Sequence, residues 1–330
     1  MTSKEVVKRA VHFRNPPYIP LLYYKSYEKA DLLSIPIEKH YAGADGRTSE
    51  WGFKWEDFEF EFAFGQTKSP AIQNWNDLEA YIPPDHLDLS RFDVAKEMME
   101  KYPDRYYIAD LSLSGFTIMT FVRGFENLLE DLYLEPEKVE QLADIVFGFE
   151  EELIRLAAGH GFDAVQFADD WGSQQSLLIS PEMFRKIFKP RYQKQYALAH
   201  KLGLDVYLHS CGYILDIIPD LIEIGLDILN PGQPSLNGIE NLGMQFGGKI
   251  CFACPVNYQT TGVSGTPAEI NQEVQAYVQH LSRPEGGFIG LVTERTYQLG
   301  ASQENQKAII AAFEACCGKN NPIDSGDAYR

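Results

Sequence analysis

From about residue 105 onwards, the chain alternates between short apolar runs and longer segments with helical periodicity. Near-continuous apolar runs of this length are typical of strands that are buried on both faces of a parallel sheet. The intervening segments carry helix start and stop signals, such as Pro136, Ser180 and Gly203. The predicted strands are "DRYYIADLSL", "FDAVQFADD", "LDVYLHS", "LDILNPG", "GKICFACP" and "GGFIGLV".

Two further strand candidates precede this region, "YIPLLYY" and the aromatic-rich "WGFKWEDFEFEFAFG". Eight strand and helix units in alternation predict an α/β fold of the (β/α)8 or TIM barrel type. A doubly wound open sheet is the alternative, although no G-x-G-x-x-G follows a predicted strand to support it. We expect one domain over residues 1–330. Its parts are an N-terminal decoration with the first strands (1–104), a core barrel (105–316) and a tail (317–330).

The charge balance narrows the range of partners. The chain has 29 basic and 47 acidic residues and a net charge of −18. Such a surface repels phosphate backbones, so we expect no nucleic-acid partner. Apolar runs long enough to span a membrane are absent, and the N-terminus lacks the apolar core of a signal peptide. We therefore expect a cytoplasmic protein that acts on a small-molecule substrate.

The five cysteines are odd in number, which argues against a disulfide framework in a cytoplasmic protein. Cys316 and Cys317 end a predicted helix, and we expect no chemical role for them. Cys211 and Cys254 lie at strand ends, whereas Cys251 points away from Cys254 by strand alternation and is expected in the core.

The segment "DVYLHSCGYILDIIPD" places His209 and Cys211 at the end of a predicted strand. Residues two apart on a strand point in the same direction, and the C-terminal ends of barrel strands form the mouth where barrel enzymes carry out their chemistry. Imidazole and thiolate are zinc ligands, and a catalytic zinc keeps one position open. The candidate third ligands are Cys254, which ends the next strand but one, and Glu294, which follows the last strand. The alternative is a histidine and a cysteine that are neighbours without a metal.

Other polar residues follow the predicted strands. Asp169 and Asp170 face opposite ways by alternation, so we expect one of them to reach the cavity as a candidate catalytic residue. The alternative is a cap on the following loop or an ion pair. The candidate substrate-binding residues are Trp171, Gln174 and Gln175, which would stack on and bind a planar ligand, together with Tyr207, Asp110 and Gln233. Tyr207 is alternatively a side chain that fills the barrel.

The blocks "FADDWGSQQSLLISPEMFRKIFKPRY", "GLDVYLHSCGYILDIIPDLIEIGLDILNPGQP", "SGTPAEI" and "GGFIGLV" resemble the uroporphyrinogen decarboxylase (URO-D) superfamily over about residues 105 to 316. This resemblance implies a (β/α)8 barrel. It also implies one of two chemistries. The decarboxylases need no cofactor and hold an acidic tetrapyrrole with an arginine-rich N-terminal loop and an aspartate. The corrinoid:thiol methyltransferases, such as the methylcobamide:coenzyme M enzymes, bind zinc through His-x-Cys and a later cysteine.

This chain resembles the methyltransferase branch more closely. The segment "YIPLLYYKSYEKADL" has no Arg-x-x-x-Arg loop, whereas His209 and Cys211 match the zinc-binding pair. Two departures concern the metal. Glu294 stands near the place of the family's later cysteine, so Cys254 or Glu294 would complete the ligands, and Gln233 stands where the methyltransferases carry a glutamate.

The resemblance implies a zinc-dependent enzyme that moves a methyl group between a corrinoid carrier, or a small methyl donor, and a thiol. The corrinoid would be carried by a partner protein, in a system that demethylates small compounds. Two alternatives stay open. One is a cofactor-free decarboxylase or other lyase, and the other is a non-catalytic binding subunit.

Overall fold

The computed structural model describes residues 1–39, 45, 47–55, 67–294 and 300–323. Its strands, numbered in chain order within these residues, are β1 (Leu21–Tyr23), β2 (Leu32–Pro36), β3 (Lys54–Trp55), β4 (Thr67–Ser69), β5 (Tyr106–Asp110), β6 (Ala164–Ala168), β7 (Asp205–Ser210), β8 (Ile228–Pro231), β9 (Cys251–Cys254) and β10 (Phe288–Val292).

Eight of these described strands form a closed parallel barrel in the order β1, β10, β9, β8, β7, β6, β5, β2. The barrel predicted from the alternating pattern is therefore confirmed. In this register Ala168 of β6 faces His209 of β7, and His209 faces Asn230 of β8. The C-terminal ends of three neighbouring strands thus bring the residues of the predicted mouth side by side.

One of the two early strand predictions was wrong. "YIPLLYY" contains β1, but the second barrel strand is β2, Leu32–Pro36, and not the aromatic run. Lys54 and Trp55 of that run belong to the separate antiparallel hairpin of β3 and β4. Residues 56–65 of the run lie outside the described residues. The ring of Trp55 packs against Phe53 and Phe121.

The helices fill the intervals between the strands. They are α1 (Ser3–Val11), α2 (Asp93–Lys101), α3 (Gly115–Arg123), α4 (Phe125–Leu134), α5 (Pro136–Gly159), α6 (Pro181–Met183), α7 (Lys189–Lys201), α8 (Ile218–Glu223), α9 (Ile239–Phe246), α10 (Thr261–Ser264), α11 (Pro267–Leu281) and α12 (Gln303–Cys316). A π-helical segment, Phe184–Phe188, joins α6 to α7 just before Pro190. Proline lacks the N–H that would continue an α-helix, which explains the interruption within the predicted continuous helix.

The strands separate two apolar layers. The barrel interior contains Tyr207, Ile228, Cys251 and Ala253. The layer between strands and helices contains Leu208, Leu229, Phe252 and Cys254. Successive side chains alternate between these layers, as the period of a strand requires. Cys251 therefore faces the barrel interior, and Cys254 faces the surrounding helices.

Helix α1 closes the floor of the barrel at the N-terminal ends of the strands. Val7 and Val11 join the interior apolar cluster. The polar side of α1 meets aspartates at strand starts, where Ser3 donates to Asp31 over 2.7 Å, Lys4 pairs with Asp163 at 2.8 Å and His12 with Asp205 at 3.0 Å. Within the described part of the chain, every helix is too short or too polar to cross a membrane.

Candidate functional site

Three side chains with metal-ligating atoms meet at the mouth of the barrel. They are Asp170, just after β6, His209, the penultimate residue of β7, and Cys211, just after β7. Their ligating atoms all lie within 4.8 Å of one another. The Nε2 atom of His209 lies 3.4 Å from the Sγ atom of Cys211 and 3.7 Å from an oxygen of Asp170. The structure thus brings the sequence-predicted pair together and adds Asp170 to it.

The ring of His209 is held in one tautomer by Asn230. The Nδ1 atom of His209 lies 2.6 Å from Oδ1 of Asn230, whose Nδ2 donates to the carbonyl of Ala253. A carbonyl only accepts, so the Asn230 amide must turn its own oxygen towards the histidine, and Nδ1 must carry the proton. In the neutral form of the ring, the Nε2 lone pair faces Cys211 and Asp170, which is the arrangement of a histidine ligand oriented by a second residue.

The charges around His209 favour its protonated form in the metal-free protein. Burial, the largest single influence, lowers the pKa of His209. The charge and hydrogen bond of Cys211, the charge of Asp170 and the hydrogen bond of Asn230 outweigh it and raise the pKa to about 10. The pocket therefore attracts positive charge at the point where the three ligating atoms converge.

Gly232 and Tyr258 both lie against the sulfur of Cys211. The hydroxyl of Tyr258, on the loop after β9, lies 3.2 Å from Sγ of Cys211. A Cβ atom on Gly232 would lie 2.9 Å from that sulfur, 3.0 Å from Cε1 of His209 and 3.1 Å from the Tyr258 hydroxyl. Glycine at position 232 therefore leaves the space that the side chains of His209, Cys211 and Tyr258 occupy.

The neighbouring aspartates have opposite environments. The side chain of Asp170 is 48% exposed and accepts the backbone N–H of Cys211 at 2.7 Å. Asp169 is fully buried, and its carboxylate accepts from the backbone N–H groups of Phe116 and Thr117 at the start of α3, and from the hydroxyl of Tyr192. Burial raises the pKa of Asp169 to about 7 against these hydrogen bonds. Asp169 is thus a helix cap and does not reach the cavity, which corrects its assignment as a candidate catalytic residue.

The structure also corrects the expectation for Trp171. Its ring is fully buried and packs on Phe116, with centroids 4.7 Å apart, and on Phe188, at 4.9 Å. It is therefore core and cannot stack on a ligand. Gln174 and Gln175 are exposed on the turn that follows, where the structure leaves their predicted role in substrate binding untested.

Two predicted substrate-binding residues line the barrel interior below His209. Tyr207 is 1% exposed, and its hydroxyl has no hydrogen-bond partner among the described residues. Asp110 accepts from the hydroxyl of Ser34 at 3.0 Å, and the same hydroxyl lies 3.3 Å from the Gln166 side-chain oxygen. Burial raises the pKa of Asp110. Gln233 has a supporting position instead, because its buried Oε1 accepts the N–H of Gly212 at 2.8 Å and fixes the loop after Cys211.

Neither predicted third ligand joins the group. Cys254 is fully buried and faces the helices, since alternation along β9 turns it away from the barrel interior. Glu294 accepts the backbone N–H groups of Lys25 and Ser26 at 2.7 and 2.9 Å, and so caps the loop after β1. The structure corrects both expectations and offers Asp170 in their place.

The donor set at the mouth fits a zinc ion. An imidazole nitrogen, a cysteine sulfur and a carboxylate oxygen are the donor types found at zinc sites with three protein ligands. The second such group of described residues, His12, Asp205 and Asp227, lies at the barrel floor, where each carboxylate already pairs with a histidine.

Sequence reasoning passed over Asn230, Gly232 and Tyr258. A signal existed for Asn230, because it lies two residues after the inward-facing Ile228 at the end of its strand. Gly232 follows in the same strand-end segment. For Tyr258 no local signal exists, since only the path of the loop after β9 brings its hydroxyl to Cys211.

The comparisons with known proteins identify the family of this barrel. The family model for uroporphyrinogen decarboxylase (URO-D) matches residues 55–312. The chain belongs to the URO-D family. The family predicted from the sequence blocks is therefore confirmed.

The relatives of this URO-D family member include a methyltransferase. A methylated-thiol–coenzyme M methyltransferase from Methanosarcina mazei is 28% identical over 131 residues, which cover 40% of this chain and 34% of that relative. A solved methyltransferase structure from Methanosarcina mazei has a TM-score of 0.71 at 16% identity, over 96% of this chain and 99% of that one, and it shares the fold. A D-allulose 3-epimerase from Methylomonas sp. has a TM-score of only 0.43 at 15% identity, over 69% and 83% of the two chains.

Proposed function

We propose that this URO-D family protein is a zinc-dependent methyltransferase that moves a methyl group between a donor and a thiol. The donor would be a corrinoid carried by a partner protein, or a small methylated compound. The observation that carries the proposal is the convergence of Asp170, His209 and Cys211 within 4.8 Å at the mouth of a barrel. The name of the methyltransferase relative agrees with this chemistry.

The ligands of the ion would be His209 Nε2, Cys211 Sγ and a carboxylate oxygen of Asp170. Bound there, zinc would supply the Lewis acidity that keeps a substrate thiol deprotonated near neutral pH. Asn230 fixes the tautomer of His209, and Gly232 leaves room for the ligands. Gln233 fixes the loop that carries Cys211 by accepting the N–H of Gly212.

The interior below the ligands would receive the remainder of the substrate. Ser34, Asp110 and Gln166 form a hydrogen-bonded group there, and the unpartnered hydroxyl of Tyr207 offers a further polar contact. Exposed Gln174 and Gln175 would contribute at the rim. Asp110 accepts the hydroxyl of Ser34 over 3.0 Å, and burial raises the pKa of its carboxyl.

A decarboxylase of an acidic tetrapyrrole is less well supported. Such a substrate carries several carboxylates and needs cations to hold them. The polar groups identified at this mouth are Asp110, Asp170, Gln166 and tyrosine hydroxyls around one histidine. These groups repel or only weakly hold a polyanion.

Metal analysis after purification without chelator tests the proposal. We expect about one zinc per chain, with loss of the metal in His209→Ala and Cys211→Ser. The zinc-loaded protein should then catalyse methyl transfer from methylcobalamin to a small thiol, and the two variants should not. A folded wild-type protein that takes up no zinc from a zinc-containing buffer would overturn the proposal. Zinc binding with decarboxylation of uroporphyrinogen, and without methyl transfer, would favour the alternative.

A further inference from the structure

Two sulfur atoms would lie side by side at the proposed metal site, the sulfur of the substrate thiol and that of the ligand Cys211. In a thiol methyltransferase a reactive methyl group approaches a deprotonated substrate sulfur, and Cys211 presents a sulfur of the same kind beside it. The site is half-open there, since the side chain of Asp170 is 48% exposed. A ligand thiolate as nucleophilic as the substrate would itself be methylated, and the site would lose its ligand.

Tyr258 is the residue placed to prevent this. Its hydroxyl lies 3.2 Å from Sγ of Cys211, within hydrogen-bond distance for sulfur. Gly232 packs against the same sulfur, so the phenol approaches it without an intervening side chain. A thiolate sulfur carries no proton, whereas a phenol keeps its proton near neutral pH, so the Tyr258 hydroxyl is the donor in this contact.

We infer that the Tyr258 hydroxyl donates a hydrogen bond to the Cys211 sulfur and makes this ligand a poor nucleophile, so that the methyl group goes to the substrate sulfur. A hydrogen bond to a charged acceptor draws on the sulfur lone pair that would otherwise attack. The inference rests on the proposed zinc-dependent methyltransferase function. It adds a selectivity residue that the family match does not assign.

Methyl iodide is a suitable probe, because it methylates sulfur without a partner protein. The Cys211 sulfur forms an S–CH3 bond with its lone pair, the C–I bond breaks, and iodide leaves with the bonding pair. Methylation of Cys211 is counted by peptide mass spectrometry on the zinc-loaded wild type and on Tyr258→Phe. We expect about a tenfold faster modification in the variant, since it loses one hydrogen bond to a charged acceptor.

A second readout is independent of any reaction. In the cobalt-substituted protein, the sulfur-to-cobalt charge-transfer band reports the energy of the sulfur lone pair. Loss of the hydrogen bond in Tyr258→Phe should raise that energy and move the band to longer wavelength. Tyr133→Phe is the matched control, because it removes the phenol hydroxyl of an exposed tyrosine on the outer helix α4, and both readouts should stay at the wild-type values.

Tyr258→Leu separates the hydroxyl from the ring. Changes of the same direction in Tyr258→Phe and Tyr258→Leu support the inference. A change in Tyr258→Leu alone assigns the effect to ring packing and overturns it, as does an unchanged rate and band in Tyr258→Phe. Zinc content is measured on every sample. A wild type without zinc refutes the proposed function, whereas a zinc-loaded Tyr258→Phe that behaves like the wild type refutes only this inference.

Discussion

The Oδ1 atom of Asn230 lies 2.6 Å from Nδ1 of His209, and this contact sets which ring nitrogen faces Cys211. The register between β7 and β8 places the two residues opposite each other. Because the second strand is itself fixed in the barrel wall, the ring cannot turn without loss of this hydrogen bond. The geometry of the candidate metal site therefore depends on a residue that does not touch the metal.

Asn230→Ala should weaken zinc binding without unfolding the barrel. Without the amide, the ring of His209 is free to rotate and to change tautomer, and loss of such a supporting residue costs about 10- to 100-fold in metal affinity. Competition with a chromogenic chelator measures the change. The control is Asn241→Ala, on the outer helix α9, whose affinity should equal that of the wild type. An unchanged affinity in Asn230→Ala would show that the contact is not needed.

Substitution of Asp169 should mainly lower the stability of the fold, whereas substitution of Asp170 should mainly weaken zinc binding. Asp169→Ala leaves the buried N–H groups of Phe116 and Thr117 without an acceptor. We expect its free energy of unfolding to fall by about 3 kcal/mol. Asp170→Ala should lower it by less than about 1 kcal/mol, because this side chain is half-exposed, and should lose zinc. Urea unfolding and metal content distinguish the two; retention of zinc in folded Asp170→Ala would exclude it as a ligand.

Cys254→Ala should keep its zinc. The side chain faces the helices, so its removal leaves a small cavity that costs about 1 kcal/mol and does not affect the mouth. Cys211→Ala is the matched variant and should lose the metal at similar stability. Zinc lost from a folded Cys254→Ala protein would restore this cysteine as the third ligand and contradict the placement along β9.

The barrel floor should make stability depend on pH. Hydrogen bonds with Asp205 and Asp227 raise the pKa of His12 and of His200, respectively, above the ordinary histidine value. A histidine with a raised pKa in the folded state stabilises the fold fully below about pH 6.5, and this contribution is lost as the pH rises through the raised pKa.

The double variant His12→Gln/His200→Gln should therefore be less stable than the wild type at acidic pH. The difference in the free energy of unfolding should shrink as the pH rises above about 6.5. Urea unfolding at a series of pH values measures it. A difference that stays constant across the series would show that these histidines do not gain charge-dependent stability from their aspartates.

The sequence was sufficient for the barrel and for the meeting of His209 with Cys211, because both depend on strand period and chain order. It was not sufficient where strand alternation separates two residues without showing which of them faces the barrel interior. Alternation along β9 separates Cys251 from Cys254, but only the closed barrel shows that Cys251 is the one that faces inwards. The same limit affects Asp169 and Asp170, which alternation sets apart without telling which reaches the cavity.

Two other predictions were wrong because the outcome depends on contacts between segments that are far apart in the sequence. β2 was missed because a short strand with Ser34 and Pro36 lacks the continuous apolar run of a buried strand, yet Ser34 is polar because it faces Asp110 at the mouth. Trp171 follows two acidic residues at a strand end, which is typical of a rim position. The aromatic cluster that encloses it comes from α3 and the segment before α7, and no local pattern predicts that enclosure.

The helix that closes the floor has a consequence for biosynthesis. Val7 and Val11 insert among residues of strands made much later, and His12 pairs with an aspartate at the start of β7. This helix is synthesised before the barrel strands but has no complete docking surface until β10 has left the ribosome. The nascent chain therefore carries an exposed apolar helix face through much of translation. Burial of this face requires contacts between residues far apart in the sequence, which form slowly, and aggregation competes with folding until they form.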